Sequence, residues 1–492
     1  MLLISENINI DFQSLWIYRL SDIFTFKILF YICSMNLITS LKTLDVRFPT
    51  SESLDGSDAT NKDPDYSAAY ISLETEQGNV GFGLIFTIGR GNDICCQAIE
   101  AMQHLVVGQD FDEIVSNVGA FYDSLRADSQ LQWLGPEKGV IHMATGAVMN
   151  AIWDMWARKE GKPIWRLLSD MTPEEFVSCL DFKYVSDALT KDEALELVRS
   201  NEGSKQERIA YLEKNGYPSY TTSAGWLGYS DEKLAKLCQQ AMDQGFQHLK
   251  LKVGESVEDD IRRLGVARSV IGDDVKLMID ANQKWEVDEA IEWVNKLTPF
   301  KPWFIEEPTS PDDVYGHKKI KDNIGEVKVA TGEHCQNRIL FKQFISNDAI
   351  DIVQIDSCRL ASLNEILTVY MMAAKFGKPV CPHAGGVGLC EYVQHLSMID
   401  YVRISADLTD RVVEFVDHLH EHFYDPCAIK NGAYVAPSEP GYSIRMFEES
   451  LKMYEYPNGS EWVKRIDKSG PCGCANQDNT MIVSETEQTS VS

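Results

Sequence analysis

Several signatures that would settle a chemistry at once are missing from this chain. Its 12 cysteines never form a paired CxxC, no GxGxxG follows the first barrel-like strand, and the histidine run at 418–422 lacks HExxH spacing. A zinc-ribbon site, a small disulfide framework and a dinucleotide-binding fold are therefore not expected. Scattered cysteines beside apolar residues instead suit a reducing compartment, where a thiol acts as a small hydrophobe. Positive charge is scarce too: 46 Lys plus Arg stand against 74 Asp plus Glu, a formal net charge of -28. A surface of that sign repels nucleic acid and anionic membranes, so neither is expected as a partner.

Long apolar runs are also absent. The most hydrophobic stretch, Leu15 to Ile38, is broken by Arg19, Asp22 and Lys27, which leaves Ile28 to Cys33 as its longest clean run. A bilayer needs roughly 20 apolar residues. The start has neither a basic n-region nor a small-residue cleavage signal, and Glu6, Asp11 and Asp22 argue against a transit peptide. Residues 1–34 read as an extension outside the fold, with Met35 an alternative start, and an intracellular compartment is expected. Beyond about Asp467 the composition turns to Ser, Thr, Gly, Gln and Asn, which predicts a disordered tail (467–492) containing Cys472 and Cys474.

What is present is core material. With 492 residues, 44% of them hydrophobic, the chain can form two or three domains around large cores. Residues 36–90 carry three strand signals separated by turn residues, and residues 93–168 take up helical spacing with a long apolar helix at Val140 to Trp156. A meander followed by helices predicts an α+β unit over 36–175. The polar stretch from Ser51 to Asp65 reads as a mobile surface loop and a candidate lid. From 176 to 436 the pattern becomes α/β, with strands expected at 221–226, 248–253, 276–281, 303–307, 328–333, 351–356, 379–383 and 412–416. Eight such units favour a TIM-type barrel over an open sheet. Segment 177–184 is strand-like but unplaced. Residues 437–464, with Tyr442, Phe447, Tyr454 and Trp462, are expected to return to the first domain.

Polar residues recur at the ends of these strands in nearly even steps: Lys252, Asp280, Glu306, Glu333, Asp356, His383 and Glu414. Each step is about one βα unit of a barrel whose eight units share roughly 250 residues, and strand C-termini are where such barrels hold their active sites. Asp280, Glu306 and Glu333 end consecutive strands. Three converging carboxylates repel one another without a cation, and hard oxygen donors select Mg²⁺. Alternation in His248-Leu-Lys250-Leu-Lys252 sends both lysines into the barrel, where mutual repulsion and a nearby dication would lower a lysine pKa and make it a base for a carbon-bound proton. His383 with Asp356 one strand earlier suits a general acid whose basicity the carboxylate raises. Glu414 would face the mouth and bond a substrate carboxylate or hydroxyl. The run His418-Leu-His-Glu-His422 reads as a surface helix or loop.

Taken in order, Lys250-Leu-Lys252, Asp280-Ala-Asn282, Glu306-Glu-Pro308, Gly332-Glu333 and Asp356 before His383 resemble the enolase superfamily, in its mandelate racemase group, over about residues 41–464. Trp133-Leu-Gly-Pro-Glu-Lys-Gly139, Tyr220-Thr-Thr-Ser-Ala-Gly225 and Cys381-Pro-His-Ala-Gly-Gly-Val-Gly-Leu-Cys-Glu391 are most similar to the L-fuconate dehydratase subgroup. The resemblance implies an N-terminal α+β capping domain over a modified (β/α)₇β barrel that binds Mg²⁺ through Asp280, Glu306 and Glu333. It implies that the 51–66 loop covers substrate, with Gly56, Ser57, Asp58 and Tyr66 as contacts beside Lys250, Glu333 and His383. Lys252 would take the C2 proton of an acid sugar, Mg²⁺ and Lys250 would stabilise the enediolate, and His383, oriented by Asp356, would protonate the departing 3-hydroxyl. A racemase, a dehydratase of another aldonate such as galactonate, and a non-catalytic metabolite-binding protein are the alternatives. The expected partner is a small acid sugar, and self-association is left open.

Overall fold

The computed structural model describes residues 35–469. The extension at 1–34, and the tail after Ser469 with Cys472 and Cys474, lie outside the described residues. Residues 467–469, assigned above to that tail, complete a helix that runs Ser460–Ser469.

Three strands, β1 (Ile38–Arg47), β2 (Ser67–Thr75) and β3 (Val80–Thr87), pair antiparallel in the order β1-β2-β3. One face of this meander packs on α1 (Asn92–Ala101), which buries Cys95, Cys96, Ala98 and Ile99, and on α2 (Gly139–Lys159), buried from His142 to Met155. α2 also joins the meander to the rest of the chain. Trp153 Nε1 donates to Asn364 Oδ1 at 3.0 Å, and the Ser362 hydroxyl donates to Asn150 Oδ1 at 2.6 Å. Beside them Arg338, fully buried, pairs with Glu137 at 2.6 Å, Asp181 at 2.9 Å and Glu365 at 2.9 Å, and Arg126 pairs with Glu137 and Asp181.

The barrel is closed. β4 (Tyr217–Thr221), β5 (His248–Lys252), β6 (Lys276–Asp280), β7 (Pro302–Glu306), β8 (Lys328–Thr331) and β9 (Ile352–Val353) pair parallel in sequence, Val353 bridges to Val380, and β10 (Val413–Phe415) pairs parallel with β4. A helix follows each strand position except the last, which gives (β/α)₇β. Its lower interior is filled by Tyr220, Met278, Phe304, Ala330, Ile352, Cys381 and Val412, so it is a packed core and not a pore.

Two sequence-based expectations fail here. The first barrel strand is 217–221, not 221–226: the apolar residues Ala224, Trp226 and Leu227 are buried in a loop under the cap, where Ser57 and Leu227 exchange hydrogen bonds at 2.8 and 3.2 Å. Gly225 lies so close to β5 that a Cβ would overlap the Lys250 carbonyl. Segment 177–184 is no strand; a helix at Pro173–Ser178 ends there, and the burial that suggests a strand comes from Asp181 turning into the Arg126–Arg338 network. The return segment does reach the meander. Trp165 Nε1 donates to the Pro437 carbonyl, Tyr442 N to Asp154, and Trp462 Nε1 to the Arg47 carbonyl.

Candidate active site

Register places the site residues at one level. Lys252 pairs with Asp280 across β5 and β6, and Asp280 with Glu306 across β6 and β7. Alternate residues of a strand share a side, so Lys250 sits one layer below Lys252, and both ammonium groups are buried. Glu333 follows β8 across Gly332, whose φ of +145° and contact with the Gln354 carbonyl leave no room for a side chain.

Lys252 Nζ lies 2.6 Å from Asp280 Oδ2, and Lys250 Nζ lies 2.8 Å from Glu306 Oε2, 3.0 Å from Glu414 Oε1 and 3.5 Å from Asp280 Oδ2. Gln354 Nε2 donates to the same Glu306 Oε2 at 2.7 Å, and Glu306 Oε1 is buried with no hydrogen-bond partner among the described residues. Asp280, Glu306 and Glu333 each offer an oxygen within 4.8 Å of the other two. An orphaned carboxylate oxygen in an all-oxygen, buried donor set fits a hard dication with open coordination positions. Burial pushes Glu306 up to about 8 against the opposing pull of Lys250, the behaviour of a carboxylate short of positive charge.

His383 Nδ1 lies 2.8 Å from Asp356 Oδ2, while Asp356 Oδ1 accepts from the backbone N–H groups of Cys358 and Arg359 at 2.7 and 2.8 Å. The carboxylate is thus fixed before it fixes the ring. His383 Nε2 faces Glu333 Oε2 at 3.3 Å. Burial disfavours the imidazolium, yet Glu333, Asp356 and Glu414 outweigh it and raise His383 to about 10, so the ring is protonated at neutral pH. Lys252 differs from the sequence-based expectation. Burial would lower its pKa, but Asp280, Glu333 and Asp58 overcome burial and the repulsion from Lys250 and hold it above the ordinary lysine value. Asp280 and Glu333, though not Asp58, belong to the donor set a dication would neutralise, and such neutralisation would remove their upward pull.

One cavity of about 360 Å³ opens above these groups and is lined by Lys252, Glu333, Asp356 and His383 from the barrel and by Gly56, Asp58 and Tyr66 from the capping loop. The loop is docked on the barrel, with Thr60 Oγ1 donating to the Asn282 carbonyl at 2.8 Å. Asp58 caps it by accepting from Thr60 and Asn61. Three expected contacts lie elsewhere: Lys250 is fully buried below Lys252 and does not line the cavity. The Ser57 hydroxyl donates to the Leu227 carbonyl, and Glu414 is buried under the site, held by Tyr220, Thr222, Lys250 and the Ala384 N–H. His334, Asn61, Arg90 and Arg359 also line the cavity and were not singled out from sequence. His334 directly follows Glu333 and could have been noticed there. The other three lie on loops whose convergence no local spacing announces.

Comparison with known proteins follows the same division. Residues 57–169 match the mandelate racemase / muconate lactonizing enzyme N-terminal domain, and residues 233–450 match the enolase C-terminal domain-like family. Mitochondrial enolase superfamily member 1 of Homo sapiens is 52% identical over 433 residues, covering 87% of this chain and 98% of that protein. Its crystal structure superposes with a TM-score of 0.86, at 51% identity over 88% of this chain and 99% of that one. L-galactonate dehydratase of Hypocrea jecorina is 54% identical over 432 residues, 86% of this chain and 96% of that protein. L-talarate/galactarate dehydratase from Salmonella typhimurium, solved with Mg and L-lyxarohydroxamate, shares the fold at a TM-score of 0.66 and 22% identity, over 85% and 92% of the two chains.

Proposed function

The chain belongs to the mandelate racemase / muconate lactonizing enzyme group of the enolase superfamily, and from that premise we propose that it is a Mg²⁺-dependent dehydratase of L-galacto-configured aldonates. L-fuconate is the substrate suggested by the sequence motifs, and L-galactonate the one named for a fungal relative. The two share their configuration from C2 to C5 and differ only in a hydroxyl at C6. The observation that carries the reading is that Lys252 and His383 line one cavity with Glu333 between them.

Asp280, Glu306 and Glu333 would hold Mg²⁺, which when bound supplies Lewis-acid polarisation of the substrate carboxylate. Lys252 takes the C2 proton. A base alone contributes about 10²- to 10⁴-fold, too little for a proton beside a carboxylate, so charge stabilisation must add several kcal/mol. Lys250 supplies part of it as a fixed cation under the carboxylates. His383 gives its proton to the C3 hydroxyl, which leaves as water, and Asp356 keeps the ring oriented. The resulting enol takes a proton at C3 and becomes a 2-keto-3-deoxy acid, so the aldonate loses one water and nothing else. Tyr66, Asp58 and Gly56 close the cavity and keep bulk water from the intermediate.

The test is to incubate the protein with Mg²⁺ and L-fuconate, L-galactonate and D-galactonate, and to trap 2-keto acid as its semicarbazone. Product from the two L-sugars, absent with Lys252→Ala, is expected. Product from D-galactonate alone would overturn the substrate class, and neither product nor C2 exchange from any sugar would overturn the enzyme reading.

A further inference from the structure

Outside the catalytic cavity, a second ligand set stands between the loop that carries His383 and the segment after β10. The fold brings together Cys390, in the first turn of α3 (Leu389–Ile399), His420 and Cys427, each offering a donor atom within 4.8 Å of the other two. Cys427 Sγ lies 3.5 Å from His420 Nδ1. A tetrahedral zinc site with Zn–S of about 2.3 Å and Zn–N of about 2.0 Å has an S···N edge of about 3.5 Å. The other ring nitrogen is already committed: His420 Nε2 lies 2.7 Å from the Val416 carbonyl, the backbone anchor that typically orients a metal-binding imidazole. A second observation points the same way. Glu391 is fully buried, its Oε1 is 2.7 Å from His420 Nδ1, and its Oε2 has no hydrogen-bond partner among the described residues.

We infer that Cys390, Cys427, His420 and the Glu391 carboxylate form a binding site for a thiophilic divalent cation, Zn²⁺ in preference to Mg²⁺. Thiolate and imidazole donors select zinc, whereas the all-carboxylate group in the barrel selects Mg²⁺. A surface depression lined by His420 and Cys427 gives the ion a route in. Binding displaces the thiol protons and the proton that His420 shares with Glu391, so loading releases protons and strengthens as pH rises. The ion would tie the loop after His383 to the segment after Glu414, because the Cys390 thiol also contacts the Gly385 carbonyl at 3.5 Å. His420 thereby leaves the surface role expected for the 418–422 run.

Cobalt reads this site directly, since only thiolate ligands give a sulfur-to-cobalt charge-transfer absorption. The full chain, reduced and held in excess Mg²⁺, should develop that absorption to one equivalent of Co²⁺ and lose it on adding Zn²⁺. Cys427→Ser and His420→Gln should weaken or abolish it at unchanged circular dichroism, and Asp280→Asn and the double variant Cys472→Ser/Cys474→Ser should retain it. No charge-transfer absorption in the unaltered chain would overturn the inference. So would an absorption left undiminished by Cys427→Ser, or one lost with the tail cysteines.

Discussion

Lys252 and His383 are given different protons to move, so single substitutions should separate the two halves of the reaction. Lys252→Ala should remove both C2 deuterium uptake and keto acid, by about 10²- to 10⁴-fold or more. His383→Asn should keep C2 exchange in D₂O while losing dehydration by a similar factor, which proton NMR of recovered aldonate distinguishes. The dyad also sets a pH limit. An acid works only while protonated, so activity falls as pH rises through the His383 pKa, which Glu333 and Asp356 raise above the ordinary histidine value and which Mg²⁺ on Glu333 would bring down from its metal-free position near 10. Asp356→Asn removes a charge-assisted hydrogen bond worth about 1.5–3 kcal/mol, and the alkaline limb should move down by about one to two pH units. These catalytic positions were legible because a strand end in a barrel repeats at even spacing. Gln354 was not, because nothing local marks a glutamine that holds a neighbour's carboxylate, whereas His334 is marked only by standing next to Glu333.

At the scale of elements, seven of the eight barrel strands fall where short apolar runs end in a polar residue, and the first does not. Its sequence neighbour 224–227 is apolar for a different reason, since the capping loop covers it. Burial read along the chain does not say which partner does the burying. The Arg338 network makes the same point: Glu137, Asp181 and Glu365 reach one guanidinium from distant parts of the chain. Removing one member of such a network strands the others. Arg338→Ala should cost about 3–5 kcal/mol, read as a lower urea midpoint, and should loosen the contact between α2 and the barrel. A conservative Lys at that position should recover only part, because it cannot meet three carboxylates with a planar fork.

For the whole molecule, the net charge of -28 and an anionic substrate pull in opposite directions, and the barrel mouth answers with Lys252, His334, His383, Arg90 and Arg359 lining one cavity. No helix among the described residues is long and apolar enough to cross a membrane, and all nine described cysteines are buried and free. A dication bound only by the folded chain stabilises it by about 2.7 kcal/mol at a hundredfold excess over Kd. The thermal midpoint should therefore rise with Mg²⁺, fall back with EDTA, and fail to rise in Asp280→Asn. The most direct measurement is proton NMR of L-fuconate and L-galactonate with the protein and Mg²⁺ in D₂O. Loss of the C2 proton signal together with appearance of a 2-keto-3-deoxy acid monodeuterated at C3 is the expected result. Full recovery of both sugars with the C2 proton intact would contradict the account.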